Sequence, residues 1–117
     1  MKLAEIQKIL EAESIGADFT DDVDVDHVCS ADLLSDVLAF TKSATMLLTG
    51  LIHSQVIRTA EMLDLSLVVI VRGKEPDDEI IQLAKEKGIP LMRTHLTMFV
   101  SAGRLFQAGL YGEGKSR

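Results

Sequence analysis

Tryptophan is absent from this 117-residue chain, aromatic residues make up only 4% of it, and cysteine occurs once. Since 47% of the residues are apolar, the core has to be aliphatic. The lone Cys29 cannot form an internal disulfide, so nothing indicates an oxidising compartment. Glu5 stands where a secretory signal would carry its apolar core, and the sequence therefore predicts a cytoplasmic protein.

Long apolar runs and basic clusters are also missing. The longest apolar run covers only residues 67–71, whereas a membrane-spanning helix needs about 20 residues. Asp and Glu number 18 against 12 Lys and Arg, and the resulting net charge of −6 repels a phosphate backbone. The basic residues form no stripe that would bind an anionic bilayer. We therefore expect no transmembrane helix, no membrane partner and no nucleic-acid partner.

Short apolar segments with strand patterns alternate with segments of helical periodicity. Strands are predicted near residues 23–28, 45–49, 67–71 and 89–92. Helices are predicted over about residues 1–12, 32–40, 54–64, 76–88 and 97–110. This alternation predicts an α/β layered sandwich, with a mainly parallel central sheet and helices on its faces. We expect one domain over residues 1–117, in which about 111–117 form a flexible Gly-rich tail.

Two of the predicted helices have specific signals at their ends. Asp32 is a plausible N-cap for the second helix, which is expected to bury Leu33, Leu34, Val37 and Leu38. In the fourth helix, Pro76 suits the first turn and Gly88 is the expected C-terminal stop. Acidic residues follow Pro76 and lysines precede Gly88, as the helix dipole favours.

Several motifs, taken together, resemble the DRTGG domain family over nearly the whole chain. They are Asp32-Leu33-Leu34-Ser35-Asp36-Val37, Thr49-Gly50, Leu63-Asp64-Leu65, Gly73 with Glu75-Pro76-Asp77, Gly88-Ile89-Pro90-Leu91 with Thr94, and Met98-Phe99 with Ala102-Gly103-Arg104-Leu105. Such domains are similar to the N-terminal domain of HPr kinase/phosphorylase, and occur in phosphotransacetylases, beside CBS domains and alone. The resemblance implies a regulatory or assembly role without catalytic groups. The chain departs from the family signature upstream of Asp32, where residues 25–30 contain no glycine pair.

Glycines and polar side chains follow three of the predicted strands. In an open parallel sheet, ligands usually bind outside the carboxyl ends of the strands. The candidate ligand-binding residues are Thr49, Gly50, His53, Arg72, Gly73, Thr94 and His95. The other interpretation is that these are ordinary turn residues, because every α/β sheet has such an edge.

Other constellations point less clearly to chemistry. His27 and Cys29 would share a strand face, but two ligands do not make a metal site, so a buried thiol and a surface imidazole are expected. Residues 109–116 satisfy the phosphate-loop pattern G-x-x-x-x-G-K-[ST], yet they follow a predicted helix and are interpreted as fortuitous. We therefore predict no catalytic residues, no metal and no cofactor; a nucleotide hydrolase using this loop is the alternative from another class.

Two hypotheses about function remain from the sequence. The first is a non-catalytic regulatory domain that binds a small ligand, such as a nucleotide or another phosphorylated metabolite. The alternative is a homodimeric interaction module without a ligand. A homodimer is expected because the chain is short and rich in aliphatic residues. Its expected contacts are the outer face of the 32–40 helix and that of the last helix, with Met98, Phe99, Phe106 and Tyr111.

Overall fold

The computed structural model of the protein describes residues 1–40 and 42–112. Its helices are α1 (Leu3–Leu10), α2 (Leu34–Phe40), α3 (Ser54–Leu63), α4 (Asp78–Lys87) and α5 (Met98–Gln107). Its strands are β1 (Glu13–Ser14), β2 (His27–Ser30), β3 (Thr45–Thr49), β4 (Leu67–Ile70), β5 (Leu91–Arg93) and β6 (Tyr111–Gly112). The predicted alternation of strands and helices is confirmed from β2 to α5.

The strands form a six-stranded sheet in the order β1-β5-β4-β3-β2-β6. β2, β3, β4 and β5 are parallel neighbours, β6 is parallel to β2, and only β1 runs antiparallel, beside β5. Consecutive parallel strands lie side by side because each is joined to the next by a helical crossover. The predicted α/β architecture with a mainly parallel sheet is therefore confirmed.

Helices cover both faces of the sheet, and each face has its own hydrophobic core. On one face, α1 and α5 pack against the sheet through residues such as Leu3, Ile6 and Leu105. On the other face, α2, α3 and α4 pack against it through residues such as Val37, Ile57, Ala60, Ile80 and Ala84. All five residues of β3 are buried, as expected of a strand that is covered on both faces.

The predicted C-terminal stop of α4 is confirmed, but the helix begins two residues after Pro76, which was expected in its first turn. The Asp77 side chain accepts a hydrogen bond of 3.0 Å from the backbone N–H of Ile80, and so caps the helix. Gly88 follows the last turn with a φ of 69°, a left-handed conformation that glycine adopts without steric cost. These local contacts set the two ends of α4, at Asp78 and Lys87.

Two predictions about helix α2 and its surroundings are wrong. Leu33 is 61% exposed and Leu38 is 50% exposed, although both were expected in the core. Leu33 precedes the helix, and the seven-residue helix turns Val37 toward the sheet, which leaves Leu38 on its outer side. Asp32 lies two residues before the helix, and its carboxylate contacts the loop after β3 instead.

The edge strands were not predicted. Tyr111 and Gly112, expected to begin a flexible tail, pair with His27 and Val28 of β2, because β2 otherwise has an open edge. The rest of that predicted tail, residues 113–117, lies outside the described residues. Among the described residues, no helix has both the length and the apolar character needed to cross a membrane.

Candidate functional site: the carboxyl edge of the sheet

The carboxyl ends of β2, β3, β4 and β5 lie along one edge of the sheet. The helix after β4 packs on one face, and the helix after β5 packs on the opposite face. In open α/β sheets, ligands usually bind in the crevice outside the carboxyl ends of the strands. The loops after β3, β4 and β5 therefore form the candidate site.

The end of β3 is joined to the loop after β2 through Asp32. One carboxylate oxygen, Oδ1, accepts the backbone N–H of Gly50 at 2.7 Å and the hydroxyl of Thr49 at 3.3 Å. The Thr49 hydroxyl also accepts the backbone N–H of Leu51 at 3.1 Å. Thr49 and Gly50 are both buried, so Asp32 covers the donors at the end of this strand.

Lys74, from the loop after β4, approaches the same glycine from another side. Its Nζ donates to the carbonyl oxygen of Gly50 at 2.9 Å. A Cβ atom placed on Gly50 would lie 3.4 Å from both the Lys74 Nζ and the Asp32 Oδ1. A methyl group at this position would thus be in van der Waals contact with both an ammonium group and a carboxylate.

A tight turn after β4 presents Arg72 and Gly73. Both have a φ of 66°, and a non-glycine residue in this conformation is uncommon. The backbone N–H of Arg72 donates to the Leu96 carbonyl, and that of Gly73 to the Thr94 carbonyl, each at 2.8 Å. These two bonds join the loops after β4 and β5, and so hold the left-handed turn in place.

Thr94 and His95 follow β5 but face different surroundings. The buried Thr94 hydroxyl donates to the Leu10 carbonyl of α1 at 2.6 Å, and accepts the N–H of Leu96 at 3.2 Å. His95 is exposed, and its Cα lies 3.8 Å from the position of a Cβ on Gly73. The hydroxyl of Thr94 therefore positions the loop, whereas the imidazole of His95 faces solvent.

The predicted site residues fall into two neighbouring groups. Thr49 and Gly50 meet Lys74, while Gly73 and Thr94 are hydrogen-bonded beside His95. Arg72, Gly73 and Lys74 are consecutive, so one loop links the two groups. His53 is exposed at the N-cap of α3, after the loop that carries Gly50.

Charged groups beyond His95 continue the edge toward α1. Arg104 on α5 donates to the Glu11 carboxylate at 2.8 Å and to the Ile9 carbonyl at 3.1 Å. The hydrogen bond and charge of Arg104, with a smaller contribution from His95, lower the pKa of Glu11 below its ordinary value of 4.5. This pair joins the C-terminus of α1 to α5 and is a structural contact.

An apolar groove lies away from the carboxyl edge, between α5 and the β2–β6 pair. It has a volume of about 370 Å³ and is lined mainly by apolar groups, from Val28, Phe99, Ala102, Gly103, Phe106 and Tyr111 among others. Phe99 is 87% exposed, whereas large apolar side chains are usually withdrawn from water. Of the residues expected at a dimer contact, Phe99 and Phe106 on α5 and Tyr111 in β6 are thus exposed, whereas Met98 is partly buried against the core.

The remaining sequence motifs have these positions in the structure. Cys29 is buried and His27 is partly exposed, in agreement with a buried thiol and a surface imidazole. Within residues 1–40 and 42–112, no group of three or more His, Cys, Asp or Glu residues is placed to hold a metal ion. The phosphate-loop match begins at Gly109, after α5, and passes through β6. Its Lys115 and Ser116 lie outside the described residues.

Comparison with protein families gives a match to the DRTGG domain over residues 5–108. The chain belongs to the DRTGG domain family. Among solved structures, this DRTGG domain is similar to the CBS and DRTGG domains of the regulatory region of Clostridium perfringens pyrophosphatase, in complex with its activator diadenosine tetraphosphate. The TM-score is 0.76 and the identity 23%, over 92% of this chain and 46% of the other. The chain thus spans about half of that regulatory region, and no curated protein matches it.

Two functional candidates in this DRTGG domain were missed by the sequence analysis. Asp32 was interpreted as a helix cap, because an aspartate before a helical pattern is a common N-cap. Lys74 was not singled out, although it directly follows Gly73 at a strand end. A search for polar residues one or two positions beyond each strand-end glycine would have found Lys74. For Asp32 there was no local signal, since its partner Gly50 lies 18 residues along the chain.

Proposed function

We propose that this DRTGG domain is a non-catalytic regulatory domain, which binds a small phosphorylated ligand at the carboxyl ends of β3 and β4. The observation that carries the proposal is the convergence on Gly50 of the Lys74 ammonium group and of the Asp32 carboxylate, which covers a backbone N–H that an anion could bind. Backbone close to a ligand and a cationic side chain are what a phosphate group requires. We include His53, Arg72, Gly73 and His95 in the site, with Thr49 and Thr94 as residues that position its loops.

The charge distribution supports an anionic ligand at this edge. The chain carries a net charge of −6, yet the cationic side chains of Arg72 and Lys74 are exposed just after β4, and the imidazoles of His53 and His95 are exposed after the neighbouring strands. Two cationic groups in one turn attract a small phosphorylated molecule locally, while the overall field still disfavours a long polyanion. A nucleotide or another phosphorylated metabolite fits this pattern better than nucleic acid.

The family and its structural relative support the regulatory part of the proposal. The related pyrophosphatase region is regulatory and was solved with a nucleotide activator, which is named for the CBS and DRTGG region as a whole. At 23% identity the similarity extends to the fold alone, and we propose the same class of ligand, a phosphorylated small molecule, for this domain. We further propose that residues 1–117 act as one domain, in the cytoplasm, because the family match covers most of the chain and the lone Cys29 needs no oxidation.

Ligand binding can be tested by calorimetry and thermal shift with adenosine triphosphate, diadenosine tetraphosphate and a sugar phosphate as probes. A probe at 100 times its Kd should stabilise the fold by about 2.7 kcal/mol. We expect Lys74→Met to weaken binding of the active probe at least tenfold. Lys85→Met is the matched control. It removes the same charge from the last turn of α4, near Gly16 and away from Gly50, and this variant should bind the probe as the parent does. Absence of binding by every probe contradicts the proposal.

A homodimeric interaction module is the second candidate, and the apolar groove favours it. Arg104 is the only charged residue of α5, in a chain where 26% of the residues are charged. Two copies that each carry a charge of −6 repel one another, so an uncharged apolar face is where they can meet. The exposed Phe99 and the groove beside it lie on one patch, which suits a two-fold contact. The exposed Leu33 and Leu38 lie at α2, on the other face of the sheet, and are not part of this patch.

Sedimentation at micromolar concentration tests this second candidate. The parent is expected to have the mass of two chains, and Phe99→Asp the mass of one, because a carboxylate would be buried without a partner. Met62→Asp is the matched control, since Met62 is 64% exposed on α3, on the opposite face of the sheet. A parent mass of one chain removes the dimer and leaves the ligand-binding proposal unaffected.

A further inference from the structure

The Asp32 carboxylate occupies the donors that an anionic ligand would use at the end of β3. Its Oδ1 accepts both the Gly50 N–H and the Thr49 hydroxyl, at 2.7 and 3.3 Å. A backbone N–H and a hydroxyl at a strand end are also common partners of a phosphate oxygen. A carboxylate oxygen and a phosphate oxygen therefore compete for the same two hydrogen atoms.

Lys74 places a cationic group beside Gly50 but does not form an ion pair with Asp32. Its Nζ is bonded to the Gly50 carbonyl, and among the described residues no ion pair joins Lys74 to Asp32. Both charged groups lie 3.4 Å from the position of the missing Cβ. An incoming anion can thus exchange with Asp32 while it gains Lys74 as its counterion.

The position of Asp32 also links this exchange to α2. Asp32 is exposed and comes two residues before the helix, so its contacts with Thr49 and Gly50 tie the start of α2 to the end of β3. The helix has only seven residues, and a helix this short depends on tertiary contacts for its stability. Releasing Asp32 would therefore allow the start of α2 to shift, together with the exposed Leu33 next to Asp32.

We infer that Asp32 is an internal competitor for the ligand's anionic group, and that ligand binding displaces it and repositions α2. This inference rests on the proposed function, because it concerns the same site over Gly50. Since coupling is reciprocal, whatever holds α2 in place also weakens ligand binding. Ligand binding at the sheet edge would thereby change the position of the exposed leucines near α2, and a regulatory domain requires such a coupled change.

The test compares Asp32→Asn with Asp36→Asn, using adenosine triphosphate as the probe. Both variants remove one negative charge from the same segment, but Asp36 is within α2 and makes no hydrogen bond to Gly50. The asparagine oxygen can still accept the Gly50 N–H, although a neutral acceptor is about half as strong as a charged one. We expect Asp32→Asn to lower the Kd by about tenfold, which corresponds to roughly 1.4 kcal/mol, and Asp36→Asn to change it by less than threefold.

Amide NMR gives a second readout that does not depend on affinity. In the parent, adenosine triphosphate should shift the amide signals of Gly50 and of residues 33–38. Asp32→Asn should move the signals of residues 33–38 part of the way without any ligand. Asp32→Glu keeps the charge on a longer side chain and should retain a Kd close to that of the parent, and a thermal melt confirms that each variant folds.

The outcomes separate this inference from the proposed function. If the parent binds and Asp32→Asn binds equally or more weakly, Asp32 does not compete and the inference is wrong, while the site remains. If binding improves but residues 33–38 do not shift, the coupling to α2 is wrong. If no variant binds, the proposed function fails, and the inference fails with it. Binding by Asp32→Asn alone would support both.

Discussion

Replacing Gly16 with alanine would drive a methyl group into the backbone of β5. The added Cβ would lie 2.5 Å from the Cβ of Leu91, 2.7 Å from its backbone nitrogen and 2.8 Å from the Ile89 carbonyl oxygen. None of these atoms is the end of a flexible side chain, so the strand itself would have to move. The structure thus places Gly16 in a close backbone approach to β5.

The expected loss of stability follows from this contact and from the hydrogen bonds around it. Overpacking a rigid site typically costs about 1–3 kcal/mol. The N–H groups of Ile15 and Gly16 donate to the Leu91 carbonyl, and that of Ala17 to the Ile89 carbonyl. Loss of one such bond adds about 1 kcal/mol. We therefore expect about 3 kcal/mol in total, a large part of the roughly 5–15 kcal/mol that stabilises an ordinary domain.

Urea unfolding followed by far-UV circular dichroism measures this loss. Gly103→Ala is the matched control, because a Cβ at this exposed position of α5 has no neighbour within 4 Å among the described residues. Alanine is favoured over glycine within a helix by up to about 1 kcal/mol, so this variant should be as stable as the parent or more so. A Gly16→Ala protein within 0.5 kcal/mol of the parent, about the size of an ordinary surface effect, would refute the reasoning.

Three further substitutions test contacts that hold the elements in place. Thr94→Val should cost about 1–3 kcal/mol in urea unfolding, because the buried Leu10 carbonyl would lose its donor; a loss below 0.5 kcal/mol contradicts that role. Asp77→Ala should cost about 1 kcal/mol in the same assay by removing the cap of α4. Arg104 lowers the pKa of Glu11 in the folded state, so their pairing stabilises the fold above the ordinary value of 4.5 and is lost as the pH falls through the lowered pKa. Arg104→Met should therefore flatten the acid dependence of unfolding over that range, and an unchanged profile would exclude the pairing as its source.

The candidate site shows how far local signals reach. Glycines and polar groups after three strands indicated a ligand site at the carboxyl edge of the sheet. In the structure, Thr49 is hydrogen-bonded to Asp32 in the loop after β2, and Gly73 is hydrogen-bonded to Thr94. The orientation of each group at that edge was not readable. The Thr94 hydroxyl points to α1, whereas the next residue, His95, is exposed to solvent. Consecutive side chains at a strand end point to opposite faces of the sheet. Which face each side chain takes depends on where a strand stops, and a shift of one residue reverses it.

The sequence by itself determined the α/β class, the mainly parallel sheet and the C-terminal end of α4. These follow from periodicity and from the stop at Gly88, whose physical causes act over a few neighbouring residues. Only the tertiary structure decided that Asp32 binds Gly50, that Gly16 lies against Leu91, and that Tyr111 and Gly112 close the edge of β2. Each of these contacts joins segments far apart in the chain, so its existence depends on which strands become neighbours and not on the residues around it.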